Sequence, residues 1–373
     1  MGPTSLLVLE VVLLLAVALL VAISRVRIVA VKVIAGIVAL ALGMFGGILV
    51  VNDYYGYYTT WGAAVADLSG NSNAYAVNTA TAQLNASGHR LGRVLAVRMP
   101  GRRSGISREG LVYLPPQYDE PAYRKVRFPV IELFHGTPGS PAQVVNQMRI
   151  VQIAAHLIDA RRMGPVVLVM PDSNGGHNGV EECLNTSSFR DDTYMSQDIP
   201  ADIRARFRVS RDTHQWGLMG ASSGGYCAAN LMMRHRNTFG AAASIDGYFR
   251  PADGEAGAVL GSDPAALNPN DPLAAALALR PGSGRLPPFW VAAGTGVSSD
   301  YVAAKAMVDA MRRLEQVPFL VLGGARHTMF AVRAALPSAF VWSWQQLCTP
   351  AQRSQFPTIA TKLGTTIKTS PPH

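Results

Sequence analysis

The sequence is poor in cysteine and in charged residues. Three cysteines among 373 residues are too few for a disulfide scaffold, and no Cys-X-X-Cys or His-Glu-X-X-His motif offers a metal site. Only 15% of the residues are charged, and although the net charge is +9, the charges lie singly or in pairs. We therefore expect no metal, no cofactor and no nucleic-acid partner.

Apolar residues, in contrast, make up 49% of the chain, and the mean hydropathy is +0.17. This content excludes a disordered chain, and the lack of a Gly-X-Y period excludes a collagen-like one. A positive mean hydropathy is unusual for a wholly soluble protein. It indicates either a large core or a membrane-embedded segment.

The apolar surplus is concentrated in residues 1–51. Leu6–Ile23 is apolar except for Glu10, and residues 33–51 carry no charge, so each run approaches the ~20 residues with which a helix crosses a bilayer. A cleaved signal peptide has its positive charge before the apolar stretch, whereas the first basic residue here, Arg25, follows it. We predict a retained two-helix transmembrane hairpin; the alternative is one anchor followed by a buried core helix.

Arg25, Arg27 and Lys32 lie in the short connection between the two apolar runs. By the positive-inside rule this connection is cytoplasmic, so both ends of the hairpin face outward. The tyrosines of residues 53–58 and the nearby Trp61 fit the aromatic belt of the outer interface. We therefore expect a cell-membrane protein with two spans in the lipid bilayer, and its catalytic domain on the extracytoplasmic side.

The remaining chain divides into three parts. Residues 52–90 are expected to be a juxtamembrane segment and spacer, because Ala, Ser, Asn and Thr dominate and Asp67 is the single charge within 62–88. Residues 349–373, rich in Thr, Ser and Pro, are expected to be a flexible tail. Residues 91–348 alternate apolar strand-like runs with helix-like stretches. This pattern predicts the α/β class, with a mostly parallel sheet covered by helices on both faces.

Two predicted helices bear on the site. One begins with Pro141 at its first position and runs over residues 140–162, since proline is favoured there. The other covers residues 302–315, which leaves Asp300 in the loop after a predicted strand at 288–293.

Residues 220–224, Gly-Ala-Ser-Ser-Gly, match Gly-X-Ser-X-Gly. They follow a predicted strand at 215–219 and lead into a predicted helix at 223–236, which is the setting of a nucleophile elbow. The glycines permit a tight turn that exposes the Ser222 hydroxyl, and the helix N-terminus favours developing negative charge. The alternative is an ordinary glycine-rich turn.

A serine nucleophile needs a base, and in this fold the acid and then the histidine follow the serine in the chain. His327 is the candidate base because it lies in a glycine-rich loop directly after a predicted strand. His235 lies on the elbow helix and His373 at the end of the chain. A surface loop histidine is the alternative interpretation of His327.

The acid that orients the histidine is expected between serine and histidine in the sequence. Asp300 is the first choice because its loop belongs to the strand that precedes the histidine strand. Asp309, on the following helix, is the second choice, and Asp246, at the end of the strand after the elbow, is the third.

The oxyanion hole is expected to use the backbone N–H after the nucleophile, that of Ser223, and one from the loop at residues 134–139. We choose Thr137 for the second donor, with Gly136 next. His135 in this loop is interpreted as a structural histidine.

With these features in place, residues 110–347 resemble the esterase D-like branch of the α/β-hydrolases, which also contains the secreted mycolyltransferases. The resemblance implies an α/β-hydrolase fold and an extracytoplasmic serine esterase or acyltransferase with Ser222, Asp300 and His327 as its triad. The transferases carry a Glu on a helix as their acid and are secreted; Asp300 in a loop and a membrane hairpin favour the esterase. Besides His327, the resemblance rests on residues 112–118 (VYLPPQY), 133–136 (LFHG), 217–228 (GLMGASSGGYCA), 239–249 (FGAAASIDGYF) and 333–337 (RAALP).

Membrane-anchored members of this branch also have an aromatic stretch similar to residues 52–61 and a cysteine pair similar to Cys183 and Cys227. The resemblance implies a disulfide between a loop and the elbow helix, which persists outside the cytoplasm. Two buried free thiols are the alternative, and Cys348 is left over.

The leading functional prediction is hydrolysis of an acyl ester, from a small molecule or a lipid, through an acyl-enzyme on Ser222. The same residues give an acyltransferase if a sugar or lipid hydroxyl takes the acyl group instead of water. A third hypothesis is an inactive hydrolase fold that serves as a membrane-tethered binding module.

Overall fold

The computed structural model describes residues 2–86, 92–176, 179–280, 282, 286–314, 316–350 and 353. The strands in this part of the chain are β1 (Arg93–Pro100), β2 (Ser107–Leu114), β3 (Val130–Phe134), β4 (Val167–Met170), β5 (Trp216–Ala221), β6 (Ala241–Ile245), β7 (Phe289–Gly294) and β8 (Phe319–Leu322). The α-helices are α1 (Leu6–Ile23), α2 (Val29–Tyr55), α3 (Trp61–Leu68), α4 (Ser72–Ala86), α5 (Pro141–Asn146), α6 (Ile150–Asp159), α7 (Asp191–Thr193), α8 (Ile199–Arg206), α9 (Ser223–Arg234), α10 (Glu255–Leu260), α11 (Pro264–Leu267), α12 (Pro272–Ala278), α13 (Ser298–Arg312) and α14 (Met329–Leu347).

The strands form one sheet in the order β1-β2-β4-β3-β5-β6-β7-β8. β2 is antiparallel to both of its neighbours, and every pairing from β4 to β8 is parallel. All residues of β3, β5, β6 and β7 are buried, as expected where helices cover both faces of a parallel sheet. The predicted α/β architecture is confirmed.

The core has two layers, one on each face of the sheet. Side chains alternate along a strand, so Leu168 and Met170 of β4 join one layer while Val167 and Val169 join the other. The first layer contains residues of α5, α6 and α14, and the second contains residues of α8, α9, α12 and α13. The central strands are therefore held between two buried core layers.

The helix predicted over residues 140–162 is wrong in one respect, because it is broken into α5 and α6. Arg149 adopts a left-handed conformation with φ 55° at the break. The guanidinium of Arg333 donates a 2.7 Å hydrogen bond to the Gln147 carbonyl, which satisfies an acceptor at the end of α5. The break places buried Met148 in the wall of a cavity that Ser222 also lines.

The boundary predicted for the helix at residues 302–315 is also wrong. α13 begins at Ser298, so Asp300 lies in the first helical turn and not in a loop. A carboxylate there is stabilised by the positive end of the helix dipole.

The N-terminal helices α1 and α2 pack side by side, with Gly46 against Leu13. Each is long and apolar enough to cross a membrane, and most of their apolar side chains face outward. The stretch expected as a spacer contains α3 and α4. Ala76 and Ala80 of α4 are buried in the same core layer as residues of α5, α6 and α14. The expected tail at residues 349–373 lies outside the described residues, apart from 349, 350 and 353.

Candidate active site

The turn between β5 and α9 holds Ser222 in a sharp elbow, with φ 57° and ψ −126°. Such a backbone conformation costs a non-glycine residue about 1–3 kcal/mol and is retained only where its surroundings enforce it. The neighbouring glycines allow the close approach. A Cβ on Gly224 would lie 2.4 Å from the Phe134 carbonyl oxygen, and one on Gly220 would lie 2.1 Å from the Gly224 carbonyl oxygen.

His327 lies between β8 and α14, where its loop meets the elbow. The Ser222 Oγ is 3.0 Å from Nε2 of His327, and Nδ1 of the same ring is 2.7 Å from Oδ2 of Asp300. The structure thus brings the three residues proposed from the sequence into one hydrogen-bonded line. The hydrogen bond to Asp300 raises the pKa of His327, because the carboxylate stabilises the imidazolium.

The two other acid candidates have different surroundings. Asp309 is half exposed on α13 and pairs with Lys305 at 2.5 Å. Asp246 is buried, with a positive φ of 45°, and its Oδ1 accepts a 2.8 Å hydrogen bond from the Gly294 N–H. Burial raises the pKa of Asp246, and its charge also acts on His327.

The loop after β3 lies beside the elbow. His135 in this loop is fully buried; its Nδ1 donates to the Gly136 carbonyl at 2.9 Å and its Nε2 accepts from the Ser173 N–H at 3.2 Å. These contacts agree with a structural role. The side-chain oxygens of Thr137 and Ser223 are 2.9 Å apart, and within the described chain neither backbone N–H donates a hydrogen bond. Two free donors therefore flank Ser222.

A buried polar network, which sequence reasoning missed, supports Thr137. Asn174 Nδ2 donates to Thr137 Oγ1 at 2.5 Å, and Thr137 Oγ1 donates to Glu182 at 3.3 Å. The hydroxyl of Tyr248 donates to the other oxygen of Glu182. Burial raises the pKa of Glu182 to about 8. No local motif marks these residues, since the chain brings them together from distant positions.

The residue after Glu182 is Cys183, and the structure joins its sulfur to that of Cys227 on α9, with the Cα atoms 5.5 Å apart. Both cysteines are buried, and Cys348 is a buried free thiol. The bridge ties the loop that carries Glu182 to the elbow helix.

A cavity of about 180 Å³ opens over the line of three residues. Ser222, His327 and Thr137 contribute to its wall, together with Tyr57 and Glu255. No sequence motif marks Tyr57 as a cavity residue, because the aromatic residues at 53–58 also fit an interfacial belt. Among the described residues, no cluster of three or more His, Cys, Asp or Glu side chains could hold a metal ion.

The Esterase family model matches residues 102–331 of the chain. An uncharacterized protein of Corynebacterium glutamicum is 27% identical over 255 residues, which cover 63% of this chain and 57% of that protein. The match thus spans less than two thirds of the relative's length.

Solved structures agree on the fold. A ferulic acid esterase has a TM-score of 0.60 and 17% identity, covering 69% of this chain and 99% of its own. The S-formylglutathione hydrolase of Agrobacterium tumefaciens has a TM-score of 0.58 and 16% identity, covering 69% of this chain and 96% of its own. The family match identifies the chain as a member of the Esterase family, and these structures show that it has the α/β-hydrolase fold.

Proposed function

We propose that the protein is a membrane-anchored serine esterase that hydrolyses acyl esters on the extracytoplasmic side of the membrane. The observation that carries the proposal is the line from Ser222 Oγ through the His327 ring to Asp300, with distances of 3.0 and 2.7 Å, at the end of a strained elbow. A hydroxyl, an imidazole and a carboxylate in this order form the unit that activates a serine nucleophile.

In the proposed reaction, the Ser222 oxygen attacks the ester carbonyl carbon while Nε2 of His327 takes the hydroxyl proton. Asp300 stabilises the imidazolium that forms. The carbonyl oxygen becomes an oxyanion, which the backbone N–H groups of Ser223 and Thr137 hold. Loss of one such donor costs about 10²- to 10³-fold in rate in related chemistry.

The tetrahedral intermediate collapses when the bond to the alcohol oxygen breaks and His327 returns the proton to the leaving alcohol. Water then attacks the acyl carbon on Ser222 while His327 takes a proton from that water. The bond between the acyl carbon and the Ser222 oxygen breaks, His327 returns the proton to that oxygen, and the carboxylic acid leaves. A sugar or lipid hydroxyl in place of this water would give the acyltransferase outcome.

We also propose the domain organisation. Residues 1–51 form the membrane hairpin, 52–90 the juxtamembrane segment, 91–348 the catalytic domain and 349–373 the tail. The outward-facing apolar side chains of α1 and α2 support the hairpin, because so much exposed apolar surface is stable only against lipid or a partner. Arg25, Arg27 and Lys32 in and after the connection support a cytoplasmic turn.

Labelling with a serine-directed fluorophosphonate tests the nucleophile. We expect the full-length protein to be labelled, Ser222→Ala to lose the label, and Ser188→Ala to keep it, because Ser188 is exposed in a loop and does not line the cavity. Equal labelling of the Ser222→Ala variant and its parent would contradict the proposed nucleophile. No labelling of any form, together with no ester turnover, would favour the inactive binding module.

If the protein labels, product analysis with a short-chain ester separates the two reactions. We expect free carboxylic acid to form at the same rate with and without a trehalose-like acceptor. Transfer of the acyl group to the acceptor in preference to water would establish the acyltransferase instead.

A further inference from the structure

Residues 54–58, hereafter the strap, connect the second apolar helix to the catalytic cavity. α2 ends at Tyr55, and Gly56 caps it in a left-handed conformation with φ 69°. The side chain of Asn52 donates to the Tyr58 carbonyl at 2.9 Å and accepts from the Tyr58 N–H at 2.7 Å. These bonds fix the turn that places Tyr57 in the cavity wall.

The strap is also bound to the residues on either side of the proposed base. Arg326 donates a 2.8 Å hydrogen bond to the Tyr54 hydroxyl, and its guanidinium lies 5.5 Å from the centre of that ring. On the other side, a Cβ on Gly56 would lie 2.8 Å from the ring of Phe330. The end of the proposed membrane helix therefore contacts the loop and helix that hold His327.

The short helix α3 extends this contact along the apolar region. Trp61, Val65 and Leu68 lie on one face of α3, and their exposed fractions are 37%, 61% and 90%. Trp61 also stacks on Phe45 of α2, with ring centroids 6.1 Å apart. Phe45 lies six residues before Val51, the end of the apolar run, which is about 9 Å along a helix. The exposed face of α3 is thus continuous with the side of the proposed span.

The chain geometry limits how far the cavity can lie from the apolar run. From Val51 to Tyr55 the helix rises about 6 Å, and the two residues from there to Tyr57 reach at most about 7 Å. The cavity wall at Tyr57 is therefore within about 13 Å of the end of the apolar run. The headgroup layer on each side of the hydrocarbon core is roughly 5–8 Å thick, so this wall stands at or just above it.

From these contacts we infer that the cavity opens at the outer membrane surface and that its substrate is an acyl ester of a lipid in the same bilayer. The lipid's ester group passes Tyr57 to reach Ser222, while the rest of its acyl chain stays in the membrane. The cavity, at about 180 Å³, is smaller than the ~300–1,000 Å³ that encloses a drug-sized ligand, which suits partial entry of a long substrate. This inference rests on the proposed serine esterase function.

The test uses the full-length protein in phospholipid vesicles with its catalytic domain outward. A fluorogenic long-chain acyl ester is placed either in the same vesicles or in separate, protein-free vesicles, and a water-soluble short-chain ester serves as the common reference. We expect turnover of the long-chain ester at least tenfold faster in the same vesicles. Equal rates in the two arrangements, or turnover of the soluble ester alone, would overturn the inference.

A matched pair of variants tests the membrane-facing surface. Leu68→Asp places a charge on the exposed face of α3, and Leu277→Asp places one on α12, where the leucine is 50% exposed. We expect Leu68→Asp to slow the vesicle-borne ester at least threefold and to leave the soluble ester within twofold, with both rates unchanged in Leu277→Asp. Parallel losses on both esters, or no loss on either, would contradict the inference. If the parent fails to hydrolyse even the soluble ester in a Ser222-dependent way, the proposed function itself fails.

Discussion

The acid of the proposed triad gives the sharpest prediction. In Asp300→Asn, the amide is expected to present an N–H to Nδ1 of His327, across the 2.7 Å that a carboxylate oxygen now spans. The ring then carries its proton on Nε2, the atom that must accept the Ser222 proton. This change of tautomer lowers kcat by about 10⁴-fold in a serine protease triad, equivalent to about 5.5 kcal/mol.

In this structure we expect a smaller loss than 10⁴-fold. The charge of buried Asp246 also acts on His327 and remains in the Asp300→Asn variant. We therefore expect kcat/KM to fall by roughly 10³-fold, and by more when Asp246→Asn is added. Comparing the single and double variants separates the contributions of the two carboxylates, because both of them act on the His327 ring.

The pH dependence supplies an independent check. The base must be neutral, so kcat/KM falls as the pH drops through the pKa of His327, which the hydrogen bond to Asp300 raises above its ordinary value of about 6.5. Asp300→Asn removes that stabilisation of the imidazolium, so the acid limb should move to lower pH while the plateau falls. A plain loss of folding would lower the plateau without moving the limb.

The assay is steady-state hydrolysis of a soluble short-chain ester between pH 5 and 9, with the full-length protein in detergent or vesicles. Asp309→Asn is the matched control, because Asp309 is on the same helix but half exposed and paired with Lys305. We expect the control to stay within twofold. A loss at Asp309 as large as that at Asp300, or an unmoved acid limb in Asp300→Asn, would refute the assignment.

Three further predictions concern stability. Burial raises the pKa of Glu132, on β3, to about 8, so the free energy of unfolding should fall by up to about 5 kcal/mol as pH rises from about 4.5 to 8. Glu132→Gln should flatten that decline in denaturant titrations, and the same pH dependence in variant and parent would contradict the prediction. Removing the bridge with Cys183→Ser and Cys227→Ser should lower the free energy of unfolding by about 4 kcal/mol, because the bridged cysteines are 44 residues apart in the chain. The loss should appear as a lower Tm, and a parent protein with the same Tm with and without reductant would exclude the bridge. Ala80→Leu should destabilise by about 1–3 kcal/mol, whereas exposed Thr81→Leu should not, and equal Tm values would show that α4 is not packed.

Much of the catalytic fold could be predicted because its signals are local. Continuous apolar runs mark the strands, and Gly-X-Ser-X-Gly between a strand and a helix marks the elbow. Helix ends were less predictable, because they depend on contacts made elsewhere in the chain. At the break after α5, Arg333 binds the Gln147 carbonyl, and the two residues are 186 positions apart.

The site shows the same division. Ser222 and His327 follow from motif and chain order. Asp300 follows from chain order too, although the predicted helix starts at residue 302 and the observed one starts at Ser298. Tyr57 and Glu182 could not be found in this way, because their roles arise only from folding. The bond between Tyr54 and Arg326, which positions the strap, joins residues 272 positions apart.

Because of the strap, the proposed anchor and the proposed catalytic domain share one site. Replacing residues 1–58 with an unrelated membrane helix would keep Ser222, Asp300 and His327 but would remove Tyr57 from the cavity wall and leave Arg326 without its tyrosine. A substitution of Tyr54 by a residue without a hydroxyl group would remove the hydrogen bond from Arg326. On the proposed membrane placement, exchanging the hairpin between relatives is therefore expected to change substrate preference as well as location.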